Sequence, residues 1–280
     1  MLRDRDGIAT VSIAVWISTL TQDGPPWSSP SSARHVTASR LRPFNFNHRV
    51  MQMQEQDVRW NRFQRSDELR AAARDAVIHA ANEAIAERGR FLIVLAGGST
   101  PKVVYQMLRE AGTDWSKWHV YFGDERCLPA DHADRNSKMA EDALLAHVPV
   151  PRGQIHPIPA ELGGGEGADA YCDTLKGVED FDLVLLGLGE DGHTASLFPG
   201  HAWEHNPPRA AIAVKHAPKP PSDRVSIAAS RLSQARRVLF LVEGAGKQHA
   251  VSQWKNGVFL PVRAITPACG VDVYLDSAAG

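Results

Sequence analysis

The chain has 280 residues with 31 Lys and Arg against 32 Asp and Glu, a net charge of −1, so as a whole it has no field for gripping nucleic acid or an acidic membrane. Its length suits one or two domains with a sizeable core. Cys127, Cys172 and Cys269 form no CxxC pair, which excludes a zinc ribbon, a thioredoxin-like motif and a disulfide scaffold and fits a reducing cytoplasm.

The charge is unevenly spread. Residues 1–50 hold six Arg, no Lys and three Asp, which leaves 25 bases against 29 acids in the remainder. The apolar run 8–20 (IATVSIAVWISTL) is 13 residues long, short of the roughly 18–20 that span a bilayer. It also lacks the charged flank and A-x-A-like cleavage site of a signal peptide. Residues 21–50 are rich in Ser, Pro and Arg with no hydrophobic period, and are expected to be disordered. They read either as a transit-peptide-like segment or, if Met51 or Met53 is the true start, as upstream sequence.

From residue 51 the texture becomes regular. Ser66 or Asp67 can cap a helix over 68–88, where Leu69, Ala72, Ala73, Ala76, Val77, Ala80, Ala84 and Ile85 recur near a 3.6 period and Gly89 ends it. FLIVLA (91–96) is apolar on both faces, as a buried parallel strand is. Similar strands are expected at 119–122, 181–188, 225–228, 238–242 and 271–275, with helices at 101–110, 138–146, 167–176, 231–235 and 247–255. This alternation predicts an α/β fold: a single domain over 51–280 built as a Rossmann-like, doubly wound, mostly parallel sheet with helices on both faces. Ligands then sit outside the carboxyl ends of the strands.

Three loops fall at such ends. AGGSTP (96–101) joins a strand to a helix, with Thr100 as the expected cap and Pro101 at the first helical position. Gly97 and Gly98 let the backbone approach a phosphate, with Ser99 and Thr100 adding hydroxyl donors, although an ordinary strand-to-helix turn looks the same. In FGDERCLP (122–129), Asp124, Glu125 and Arg126 place two acids and a phosphate-competent guanidinium in one loop. The segment after it has Asn136 or Ser137 to cap the next helix.

FDLVLLGLGEDGHTASLFPG (181–200) spells GxGxxG through Gly187, Gly189 and Gly192. Pro199 and Gly200 stop any helix too soon for a dinucleotide site, and the ribose-binding acid is missing. The glycines instead allow a tight loop that presents Asp191 and His193, the latter suited to general-base work. His193, His201 and His205 lack metal-site spacing, and no GxSxG elbow is present. Arg224 and Lys247, near later strands, can each complete a cationic pocket around a phosphate.

These motifs together resemble the 6-phosphogluconolactonase branch of the glucosamine-6-phosphate isomerase and lactonase family. The resemblance runs in order through LAGGSTPKVVYQML, WHVYFGDERCLPADHADRNSKMAEDALL, DLVLLGLGEDGHTASLFPG, DRVSIAASRLSQARRVLFLVEGAGK and VDVYLDSAAG, covering 59–280. It implies hydrolysis of the sugar-phosphate lactone 6-phospho-D-glucono-1,5-lactone in the oxidative pentose phosphate pathway, with neither metal nor organic cofactor. It also implies a cytoplasmic setting and a functional link to glucose-6-phosphate dehydrogenase, and leaves oligomeric state open. By motif, Gly97, Gly98, Ser99, Thr100, Arg126 and Lys247 would hold the phosphate, with Arg224 as a weaker addition. His193 would activate water, and Asp124 or Asp191 would help to position it. The deaminase branch would place a tyrosine after the DE pair and an IAFNEP-like run after DGH; this chain has Arg126 and TASLFPG there. A sugar-phosphate-binding regulator without catalysis is a third reading, against which stand His193 with Asp124 and the lack of a DNA-binding domain.

Overall fold

A computed structural model describes residues 56–201, 203 and 209–280. The apolar run 8–20, the Arg-rich segment to residue 50 and His205 lie outside the described residues.

In chain order the strands are β1 (Val58–Phe63), β2 (Phe91–Leu95), β3 (Trp118–Phe122), β4 (Asp124–Arg126), β5 (Ile155–His156), β6 (Leu183–Gly187), β7 (Ala211–Val214), β8 (Arg224–Ile227), β9 (Val238–Val242) and β10 (Val271–Asp276). The α-helices are α1 (Ser66–Arg88), α2 (Ser99–Leu108), α3 (Asn136–Ala140), α4 (Gly164–Leu175), α5 (Ala229–Leu232) and α6 (Gln248–Lys255). Seven strands form an all-parallel sheet in the order β1-β10-β9-β6-β2-β3-β5. Its centre is the continuous apolar runs: every residue of β2 and of β9 is buried, as expected of strands covered on both faces. From β2 the sheet grows one way through β3 and β5, then resumes on the other side at β6. That reversal opens a crevice between the carboxyl ends of β2 and β6.

α1 buries Leu69, Ala73, Val77, Ala80, Ala81 and Ala84 on one stripe. Gly89 ends it at φ 73°, its N–H donating to the Ile85 carbonyl. The expected caps are not used. The cap position is Arg65, whose N–H and that of Gln64 donate to the Glu68 carboxylate, while the Ser66 hydroxyl donates to Asp276 at the end of β10.

A second, three-stranded antiparallel sheet, β4-β8-β7, stands beside the first. The sequence placed β8 among the parallel strands; it pairs instead with β4, Arg126 opposite Arg224. Gly123 makes the junction: its N–H donates to Leu95 at the end of β2 and its carbonyl accepts from Ile227 at the end of β8.

Candidate active site

The loop after β6 carries the histidine. Gly189 donates its N–H to the His193 carbonyl at 2.8 Å and Gly192 donates to Gly189 at 3.1 Å, closing the GEDGH stretch into a tight turn with Gly192 at φ 83°. His193 Nδ1 lies 2.5 Å from Asp191 Oδ1. A carboxylate only accepts, so Nδ1 carries the proton and Nε2 is the basic nitrogen. Burial lowers the His193 pKa from its ordinary value, against the opposing pull of Asp191, so the ring is neutral near pH 7. Burial pushes Asp191 up, but the charge and hydrogen bonds of His193 outweigh it and leave the carboxyl below its usual range. Gly189 is required by this pair, since a Cβ there would lie 2.0 Å from His193 Nδ1 and 2.6 Å from Asp191 Oδ1.

Asp124 does not touch His193. Its carboxylate is 7% exposed and spends both oxygens on structure: Oδ1 accepts from Asn136 Nδ2 at 3.0 Å and Oδ2 from Ser196 Oγ at 2.5 Å. Arg224 Nη1 stands 4.0 Å from Oδ2. Of the two acids that could orient the ring, Asp191 is the one in contact. Glu125, fully buried, accepts the N–H groups of Arg126, Asn136 and Ser137. It thus caps α3, where Asn136 or Ser137 was expected to, and Arg135 Nε lies 3.4 Å from it.

The crevice between β2 and β6 is a cavity of about 310 Å³. His193 lines it together with Gly97, Gly98, Asp124, Arg126, Arg224 and Lys247, seven of the ten residues singled out in the sequence. Asp191 supports it from behind His193. Ser99 and Thr100 are not in the lining: α2 begins at Ser99 with Gly98 at the cap position, φ 110°, one residue before the expected Thr100 cap. Both hydroxyl residues belong to the helix, and from this loop Ala96, Gly97 and Gly98 line the cavity. Gly97 is needed for close approach, as a Cβ there would sit 2.0 Å from Asn136 Oδ1.

The cations form two groups. Arg126 and Arg224 are cross-strand neighbours on the second sheet. Arg126 Nη1 donates to the Asp134 carbonyl, while its Nε is buried with no partner among the described residues. Arg224 is buried, which lowers its pKa, and donates to the carbonyls of Lys219, Pro220 and Pro221. Lys219 and Lys247 are close enough to feel each other's charge, and Lys219 also acts on His193. Burial lowers the Lys247 pKa, partly countered by Glu190. Lys219 and Asn136 both line the cavity and were missed in the sequence. Lys219 sits in the proline-rich run HAPKPPSD, whose position over the crevice becomes visible only once β8 folds back onto β4.

A parallel α/β sheet with a His–Asp pair and four cationic side chains lining the cleft at its switch point defines a Rossmann-like protein. Residues 64–274 match the family described as glucosamine-6-phosphate isomerases/6-phosphogluconolactonase, and the chain belongs to that family. A probable 6-phosphogluconolactonase 3, chloroplastic, of Oryza sativa subsp. indica is 37% identical over 211 residues, covering 68% of this chain and 64% of its own length. The chain thus spans somewhat under two thirds of that relative. A 6-phosphogluconolactonase of Synechocystis sp. is 40% identical over 215 residues, covering 71% of this chain and 87% of the relative. Among solved structures, the 6-phosphogluconolactonase of Trypanosoma brucei superposes with a TM-score of 0.71 at 26% identity, covering 80% of this chain and 98% of that one.

Proposed function

We propose that this chain hydrolyses 6-phospho-D-glucono-1,5-lactone to 6-phospho-D-gluconate. The observation that carries the reading is the His193–Asp191 pair in a cleft walled by Arg126, Arg224, Lys219 and Lys247: a neutral, oriented base beside an anion-receptive surface. The names of the rice, Synechocystis and trypanosome relatives point the same way.

The substrate phosphate rests against Gly97 and Gly98 and is held by Arg126, Lys247 and Arg224, through charge-assisted hydrogen bonds. Anchoring the remote phosphate fixes the lactone carbonyl near the base, so that a bimolecular attack becomes effectively intramolecular. Nε2 of His193 takes a proton from water as its oxygen bonds to C1, and the carbonyl electron pair moves onto the carbonyl oxygen. Lys219, whose charge acts on His193, balances that negative charge. The intermediate then collapses, the bond from C1 to the ring oxygen breaks, and the imidazolium returns its proton to the departing ring oxygen. Asp191 keeps the ring in the required tautomer and stabilises the imidazolium.

Against the competing isomerase reading of the family stand Arg126 after the DE pair and the run TASLFPG after DGH. Two assays side by side distinguish the readings: lactone generated from glucose 6-phosphate by its dehydrogenase, and ammonia release from glucosamine 6-phosphate. Faster lactone consumption without ammonia release is expected; ammonia release with no effect on the lactone would reverse the assignment.

A further inference from the structure

The proposed substrate touches two separate sheets: its phosphate meets Arg126 and Arg224 on β4 and β8, while its carbonyl meets His193 on the loop after β6. Something must fix the distance between them. Most hydrogen bonds of residues 188–201 stay within the loop or return to its own strand, among them Gly189 to His193, Leu197 to Thr194, and Thr194 Oγ1 to the Gly187 carbonyl. Among the described residues, the bonds from this loop to the second sheet both come from Ser196. Its Oγ donates to Asp124 Oδ2 on β4 at 2.5 Å, and its N–H donates to Ser226 Oγ on β8 at 3.3 Å.

The setting is built for this. Ser196 and Ser226 are 1% and 0% exposed, so neither has water to fall back on. Asp124 is itself held by Asn136, and Ser226 Oγ donates a hydrogen bond to the Ile227 carbonyl. Between His193 and Ser196 the chain turns through Ala195 at φ 48°, a conformation that costs a residue with a Cβ and persists only where neighbours impose it. Thr194 fastens one side of that turn and Ser196 the other. Without the Ser196 hydroxyl, a buried carboxylate lone pair loses its donor, and the longer 3.3 Å bond from the Ser196 N–H to Ser226 is the one hydrogen bond left from this loop to the second sheet among the described residues.

We infer that Ser196 is a positioning residue that sets His193 in register with the phosphate-binding wall, acting through Asp124. The inference rests on the lactonase reading above. It assigns Asp124 to the brace and not to chemistry.

The test compares the phosphorylated lactone with unphosphorylated glucono-1,5-lactone, each above its spontaneous rate, in wild type, Ser196→Ala, Asp124→Ala and the double variant. Register between base and anchor matters only for a substrate that uses both. Ser196→Ala is therefore expected to lower kcat for the phosphorylated lactone by about 10–100-fold, with KM little changed, and to lower turnover of the unphosphorylated lactone far less. Asp124→Ala should behave alike, and the double variant should be no worse than the poorer single one, since the two act as a unit. Thermal melts of each variant separate this from loss of fold. An equal fall for both lactones, or single effects that multiply in the double variant, would overturn the brace while leaving the lactonase reading intact. A wild type that hydrolyses neither lactone would take both down.

Discussion

At the scale of single residues the proposed chemistry depends on the protonation state of one imidazole. His193 must be neutral to accept a proton, and burial holds its pKa below the ordinary 6.5. The kcat of the wild type should therefore be flat near neutral pH and fall only as the pH drops through a value below 6.5, measured from pH 5 to 7.5 after subtracting spontaneous hydrolysis. Asp191 works against burial and raises the His193 pKa. Asp191→Asn should then move the acid limb to still lower pH and also lower the plateau, because the ring loses its preferred tautomer. A limb that moves to higher pH in this variant would contradict the pairing. Gly189→Ala probes the same pair by steric means. With its Cβ 2.0 Å from Nδ1, it should cost about 100-fold in kcat while circular dichroism shows the fold retained.

At the scale of elements, the loops were more legible than their supports. The three segments at strand ends, the buried strands β2, β6 and β9 and the tight GEDGH turn could be read directly, because continuous apolar runs and glycine spacing are local signals. Capping was not: Arg65, Gly98 and Arg135 occupy the cap positions, where Ser66 or Asp67, Thr100, and Asn136 or Ser137 respectively are the expected caps. In two of the three a tertiary partner decided the outcome, Asp276 for Ser66 and Glu125 for the start of α3. The edge strand β1 escaped notice because its charged residues mask the alternation of Val58 and Trp60. The second sheet escaped because β4 is three residues long and pairs only with segments about a hundred residues away. Glu125 looked like a candidate for chemistry and proves to be the cap of α3, buried against Arg135. Glu125→Ala should cost about 3–5 kcal/mol of stability, as removal of one partner from a buried ion pair does, measured by urea unfolding. A loss below 1 kcal/mol would show that α3 does not depend on it.

At the scale of the whole molecule, a near-neutral chain concentrates its useful positive charge in a few side chains around one cleft. Arg126, Arg224, Lys219 and Lys247 line about 310 Å³, and the proposed function sets them around one sugar phosphate. Arg126→Ala and Lys247→Ala should each raise KM by about tenfold or more, the loss of one charge-assisted contact, with smaller effects on kcat; an unchanged KM in both would refute the phosphate pocket. The family resemblance implies hydrolysis without a metal, so activity should survive exhaustive chelation; a loss that zinc restores would overturn this. No described helix is long and apolar enough to cross a membrane. The sequence therefore revealed the parallel sheet and the histidine and two glycines that line the cleft, but not the places of Lys219, Asn136 or Ser196, which depend on how the second sheet folds over the first. The most direct test of the central claim is the rate of lactone hydrolysis by the purified chain against its His193→Ala variant at pH 7. Hydrolysis well above the spontaneous rate in the wild type, reduced at least 1,000-fold in the variant, is expected; equal rates in the two proteins would contradict a His193-activated water.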